Sequence, residues 1–336
     1  MKKFLFVLAA LVIVLSLSGA VFAADKPVIG VLIYKYDDTY ISTVRNAIEK
    51  YGADVLDITM QDGKGDQATQ NDQVDVFIAK GVDALVVNMV DAAAAQGVVD
   101  KAKDAGIPVV FFNREPAASV LKSYDKAIFI GTNAADAGVM QGELIAKIWG
   151  DGSTYDLNKD GVIQYLMFQG EPDNPEAIAR TDYSVKTAEE LGLKMELANE
   201  IIVCNWDTAC AQSSMEPIIN KGTNVEFIIA NNDGMAEGVI NALVADGKNT
   251  GEEGDPVIPV VGVDATDAAI ELITKGKMAA TVKQDGDAMG KAIVEITLNV
   301  AAGKDPLDGT DYKFDDSGVA VRIPYVPFDI ESVEKK

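Results

Sequence analysis

The chain has 336 residues, with 52 acidic against 29 basic side chains, two cysteines and no histidine. A formal charge of −23 and a pI near 4.3 leave no cationic face for nucleic acid and repel an anionic membrane surface. Lacking histidine, the chain has no Ser-His-Asp or Cys-His machinery, and two cysteines are too few for a four-thiolate zinc site or an iron–sulfur cluster.

In chain order, Met1-Lys2-Lys3, an apolar run from Phe4 to Leu15 and the small-residue step Val21-Phe22-Ala23 read as a secretory signal peptide over residues 1–23. The apolar run gives way to Ser-Leu-Ser-Gly too early for a membrane anchor. Cleavage near Ala23 removes Lys2 and Lys3, takes the charge from −23 to −25, and delivers the mature protein to an oxidising compartment, the bacterial periplasm. The remaining length suggests about two domains. Val28–Tyr36 reads as a strand and Thr39–Tyr51 as a helix. Val55–Met60, Ala84–Met89 and Val109–Asn113 follow as strands, each with a helical or turn segment behind it. The pattern restarts at Ala127–Thr132 and continues through Ile163–Gln169, Glu200–Val203, Val225–Asn231 and Val257–Asp264. Alternation at this spacing predicts an α/β fold of two doubly wound lobes, each a parallel sheet flanked by helices. The halves echo one another. Leu85–Asp91 and Ile228–Asp233 are both apolar strands ending in Asn and Asp before an Ala-rich helix. Polar residues at the carboxyl ends of parallel strands predict a ligand clamped between the lobes.

The sharpest local motif is Asp156-Leu157-Asn158-Lys159-Asp160-Gly161-Val162-Ile163-Gln164. It matches the first nine positions of a calcium loop, with oxygen side chains at 1, 3, 5 and 9, glycine at 6 and a backbone carbonyl at 7. Position 12 is Met167, inside a predicted strand, so a further carboxylate has to come from elsewhere. The expected Ca2+ is structural.

Tyr34–Asp38, Val110–Pro116, the 156–164 loop, Gly170-Glu171-Pro172, Ile229–Asp233 and Gly262-Val263-Asp264 occur in this order in the periplasmic galactose/glucose-binding proteins, which the chain resembles over about residues 26–330. These are sugar receptors of ABC transporters that also serve chemotaxis. The resemblance implies Rossmann-like lobes joined by a three-crossing hinge. The first lobe is 25–131 plus 284–321, and the second 132–283 plus 322–336. It also implies a monosaccharide ligand, a membrane permease and a chemotaxis receptor as partners, a monomeric state, and Glu226 as the missing calcium ligand beside Asp156, Asn158, Asp160, Val162 and Gln164. The sugar positions carried over unchanged are Asp38, Asn113, Arg180, Trp206, Asn232 and Asp264. Tyr40 stands where the family has Phe, Arg114 where it has Lys, Asn174 where it has His, Glu176 where it has Asp, and Gln284 where it has Asn. The last three changes leave D-galactose, D-glucose and other aldoses open. Asn174 carries no charge switch, so little pH dependence between pH 5 and 8 is expected from that position.

The residue types suit a sugar on their own account. Asp, Asn and Arg bridge vicinal hydroxyls, and Trp206 and Tyr40 offer flat apolar faces to ring C–H groups. Asp38 and Asp264 read alternatively as a glycosidase pair, although nothing positions a water between them. A sugar-responsive repressor shares the lobe fold, but the chain has an export signal and no basic helix-turn-helix. Cys204 and Cys210 bracket Trp206. An oxidising compartment favours a disulfide that stiffens it, with two free thiols as the alternative.

Overall fold

The computed structural model describes residues 26–150 and 154–334; the signal segment lies outside them. In chain order the strands are β1 Val28–Ile33, β2 Asp57–Asp62, β3 Ala84–Val87, β4 Val109–Phe112, β5 Ala127–Gly131, β6 Ile163–Gln169 and β7 Met195–Leu197. They continue with β8 Ile202–Val203, β9 Phe227–Ala230, β10 Val260–Asp264, β11 Ala280–Gln284, β12 Ala320–Arg322 and β13 Tyr325–Asp329. Two sheets result. The first runs β12-β5-β4-β3-β1-β2, and the second β13-β11-β10-β9-β6-β7 with β8 also paired to β6. Every pairing is parallel except β11 with β13. Central strands such as β3, β4 and β9 are buried throughout, as parallel strands covered on both faces must be. Each sheet has an apolar cluster on either face.

Several strands differ from expectation at their ends. The stretch Val257–Ile258 stays outside β10 because Asn249 holds both backbone groups of Ile258 and Pro259 has no N–H to pair. Four strands escaped the sequence pattern: β7, β11, β12 and β13.

The chain passes between the sheets three times. Thr132 follows β5 and leads to helix Ala134–Trp149, which packs on the second sheet. Gln284 ends β11 and leads to helix Gly286–Ala301, which packs on helix Thr39–Gly52 of the first lobe. Arg322 ends β12 in the first sheet, and Tyr325 opens β13 in the second. Pairing of Gln284 with Tyr325 and of Arg322 with Gly131 shifts two lobe boundaries by one residue from those the resemblance implies.

Candidate functional site

Asp38 caps helix Thr39–Gly52, Asn174 caps helix Pro175–Glu190 and Asn232 caps helix Asp233–Ala245. Asn113 follows β4, Trp206 follows β8, and Asp264 and Gln284 are the last residues of β10 and β11. Carboxyl ends of strands from both sheets therefore face one cleft, where a doubly wound fold places ligands. All eleven predicted contact residues line it: Asp38, Tyr40, Asn113, Arg114, Asn174, Glu176, Arg180, Trp206, Asn232, Asp264 and Gln284. Tyr34 and Ile41 complete the wall around some 380 Å³ of empty space, mouth included.

At the floor lies a buried ionic network. Arg180 is 3% exposed; its Nη1 donates to the Asn231 carbonyl at 2.8 Å. The Arg180 Nη2 lies within hydrogen-bond distance of Glu176 Oε2 at 3.2 Å, Gln284 Oε1 at 3.2 Å and Tyr325 Oη at 2.8 Å. Glu176 accepts from Thr132 Oγ1 at 2.8 Å and from Tyr325 Oη at 2.8 Å. Thr132, Gln284 and Tyr325 belong to the three crossings, one each. Burial acts against the Arg180 charge, but Tyr325, Glu176 and Asp264 outweigh it and hold the guanidinium pKa above its ordinary value. Burial pushes Asp264 well above the carboxylate range; Arg180 opposes that rise, while Asp233, Asp38 and Glu176 reinforce it. Four buried polar atoms of lining residues have no protein partner: Arg180 Nε, Trp206 Nε1, Asp264 Oδ2 and Gln284 Nε2. Three donors and one acceptor, dehydrated and unpaired, would be costly unless a polar ligand met them.

Comparison with known proteins decides the family. A periplasmic binding protein domain matches residues 29–305. The chain belongs to the periplasmic binding protein family. A D-galactose/methyl-galactoside binding periplasmic protein of Haemophilus influenzae is 42% identical over 330 residues, covering 96% of each chain. A putative rhizopine-binding protein of Rhizobium meliloti is 33% identical, covering 90% of this chain and 92% of that one. Among solved structures, an ABC transporter solute binding protein of Bacillus halodurans with bound myo-inositol superposes with a TM-score of 0.75 at 30% identity, covering 92% and 96% of the two chains.

Within this periplasmic binding protein the predicted residues divide by what their polar atoms already do. The Tyr40 hydroxyl donates to Met289 sulfur at 3.4 Å, which turns it into the core. Asn174 accepts from the Glu176 N–H at 2.9 Å and donates to Glu171 at 3.3 Å, so both ends of its amide are engaged. Arg114 stacks 3.6 Å from the Tyr34 ring centroid and crosses the cleft to Glu171 at 2.8 Å. Trp206 sits in a turn where it and Asn205 have positive φ, 69° and 49°. Cys204 and Cys210 form a disulfide around that turn, with Cα atoms 5.4 Å apart. The Trp206 indole lies over Gly170, where an added Cβ would fall 2.3 Å from the ring.

Supporting residues were missed. Asn88 is fully buried and donates to Asn113 Oδ1 at 3.2 Å, orienting that amide. Thr132, Tyr325 and Asp233 are likewise absent from the predicted contact residues. Asn88 and Asp233 left a signal, as the Asn of one copy of the repeated strand-end pattern and the Asp of the other.

Away from the cleft, the 156–164 loop closes on Glu226, which is 1% exposed. Its two oxygens accept from the Leu157 N–H at 2.8 Å and the Gln164 N–H at 3.4 Å. Gln164 lies next to Asn158 and Asp160. Donors bonded to Asp160, first the Val162 N–H, hold its carboxyl below the usual range. Among the described residues no three His, Cys, Asp or Glu side chains converge as a ready-made metal cluster. The oxygen set here is mixed, with amides and a carbonyl among the carboxylates, and Asp156 Oδ1 is buried with no partner.

Proposed function

We propose that this protein is the periplasmic receptor for a D-galactose- or D-glucose-like monosaccharide and hands it to an ABC transporter permease. The four unpartnered polar atoms at the cleft floor carry this reading. They offer three donors and an acceptor to a ligand that is itself a ring of donors and acceptors, and the Trp206 ring offers a face to its C–H groups. The names of the Haemophilus relative and of the inositol-bound structure agree with a polyhydroxylated ligand. Sugar held by both lobes favours the closed state, which is the form a permease distinguishes and a chemotaxis receptor would read. A monomer suffices for this role. Reading Asp38 as a catalytic carboxylate is disfavoured because its oxygens are engaged by the Tyr34 hydroxyl at 2.5 Å and the Ile41 N–H at 2.7 Å. Calorimetric titration against a monosaccharide panel tests the proposal: saturable binding of one aldohexose is expected, and no binding of any at millimolar concentration overturns it. Hydrolysis of nitrophenyl glycosides that is lost in Asp38→Asn would favour the enzyme instead.

We also propose that Asp156, Asn158, Asp160, the Val162 carbonyl, Gln164 and Glu226 hold a structural Ca2+. Hard oxygen donors and the unpartnered buried Asp156 oxygen suit that ion.

Gly170→Ala gives a local test of stacking. The new methyl must displace Trp206, so hexose affinity should fall about tenfold, roughly one aromatic contact, with the fold intact. Titration followed by tryptophan fluorescence reads this, and an unchanged affinity would argue that the indole does not face the sugar.

A further inference from the structure

Asp233 is the first residue of helix Asp233–Ala245, 1% exposed, and has no place among the predicted contacts. Its Oδ1 accepts from Thr281 Oγ1 of β11 at 2.6 Å. Its Oδ2 accepts from the Thr266 N–H at 2.9 Å, and the Ala265 N–H acts on the same carboxylate in the same sense. The group sits directly over β10: a Cβ on Gly262 would fall 2.4 Å from Oδ1. Immediately beyond that glycine the backbone is strained. Asp264 has φ 130° and Ala265 φ 55°, two successive residues with side chains in a region that favours glycine. Asp264 is the lining residue whose Oδ2 is buried and unpartnered.

We propose that Asp233 is a positioning residue for Asp264: its carboxylate gathers the two amides after Asp264 and so holds the turn that presents the free Asp264 oxygen to the ligand. The Thr266 N–H bonded to the carboxylate, with the Ala265 N–H acting on it in the same sense, offsets the strain that the turn would otherwise relieve by flipping a peptide. Gly262 supplies the space, and Thr281 fixes the carboxylate against the sheet. Burial pushes Asp233 up to about 6, against the pull of Thr281, Thr266, Ala265 and Arg180. A site that keeps a carboxylate here despite that desolvation is using its acceptors. This inference rests on the reading of the cleft as a sugar site, and its test separates the two.

The test is calorimetric titration with D-galactose and D-glucose of the wild type, Asp233→Ala, Asp233→Asn, Asp264→Ala and the double variant Asp233→Ala with Asp264→Ala. Asn presents its amide oxygen to the backbone N–H groups and donates to Thr281 Oγ1, so Asp233→Asn should stay within about threefold of wild type. Asp233→Ala should lose about 30-fold, in the range for a buried polar group left without its partner. In the double variant the loss should match that of Asp264→Ala within about threefold, because Asp233 acts only through Asp264. Additive losses, or Asp233→Ala binding like wild type, would overturn the proposal. Should Asp233→Ala fail to fold, Asp233→Glu replaces it: the longer side chain cannot seat over Gly262, and the same loss and the same non-additivity are expected. If the wild type binds neither these nor any other sugar of the monosaccharide panel, the sugar reading fails alone. Hydrogen exchange at the Ala265 and Thr266 amides then decides: at least about tenfold faster in the Ala or Glu variant but not in Asp233→Asn supports positioning, and unchanged exchange overturns it.

Discussion

Replacing Arg180 with Met should reduce hexose affinity by about 10^2-fold and lower the melting temperature as well. Among the described residues Arg180 is the only cation in its network, bonded to Asn231, Glu176, Gln284 and Tyr325 with its Nε left over for ligand. Loss of the one charge-assisted bond that Nε offers, at roughly 1.5–3 kcal/mol, accounts for the affinity. The stability loss has a separate source, because removing one partner of a buried pair leaves the other charge uncompensated, at about 3–5 kcal/mol. Glu176 and Asp264 would both lose their counter-charge, and Asp264, already raised by burial, would rise further once Arg180 no longer opposes it. Arg180→Lys separates the two causes: it keeps the charge but not the fork, so stability should recover more than affinity. Calorimetry and thermal melts on both variants check this. Affinity within tenfold of wild type in Arg180→Met would mean that the ligand does not use the guanidinium.

Chelation should lower the melting temperature by roughly 10 °C if the 156–164 loop holds calcium. An ion present at a thousand times its dissociation constant stabilises the native state by about 4 kcal/mol, and a lobe of this size shifts about 2–4 °C per kcal/mol. Glu226→Gln should lower the melting temperature by a similar amount and abolish the response to chelator. The Glu226 carboxylate ties β9 to the loop across 69 residues of sequence, so the effect should be felt through the whole second lobe. A melting temperature indifferent to chelator, with calcium absent by elemental analysis, would leave the loop as a plain turn held by its own amides.

What was legible beforehand follows physical lines. Largely apolar runs announced β1, β4, β6 and β10 because buried parallel strands are covered on both faces. Strand β13 was invisible: it lies at the sheet edge, carries Pro327, and exposes Val326. β12 is three residues long, too short for any period to emerge. The cleft residues were placed by resemblance, and every one of them lines the same cavity. Their supports were not, because Tyr325 reaches Arg180 across 145 residues and Asp233 reaches Thr281 across 48. Such pairings depend on how the chain returns to the hinge, which local composition does not encode. Cys204 and Cys210 were the exception, since a six-residue separation made their pairing a local question.

The contact of one helical turn with all three crossings has a practical consequence. Glu176 and Arg180 line the cleft and also bond to Thr132, Gln284 and Tyr325, so the side chains that line the cleft also hold the crossings between the lobes. If the lobes close on ligand as proposed, an observed dissociation constant is the intrinsic one divided by the fraction of empty receptor already closed. A substitution at Glu176 intended to change which sugar fits also resets how often the empty receptor is shut. Selectors that rank variants by apparent affinity would reward a stiffer resting state as readily as a better fit, and the two separate only when the unliganded population is measured alongside binding.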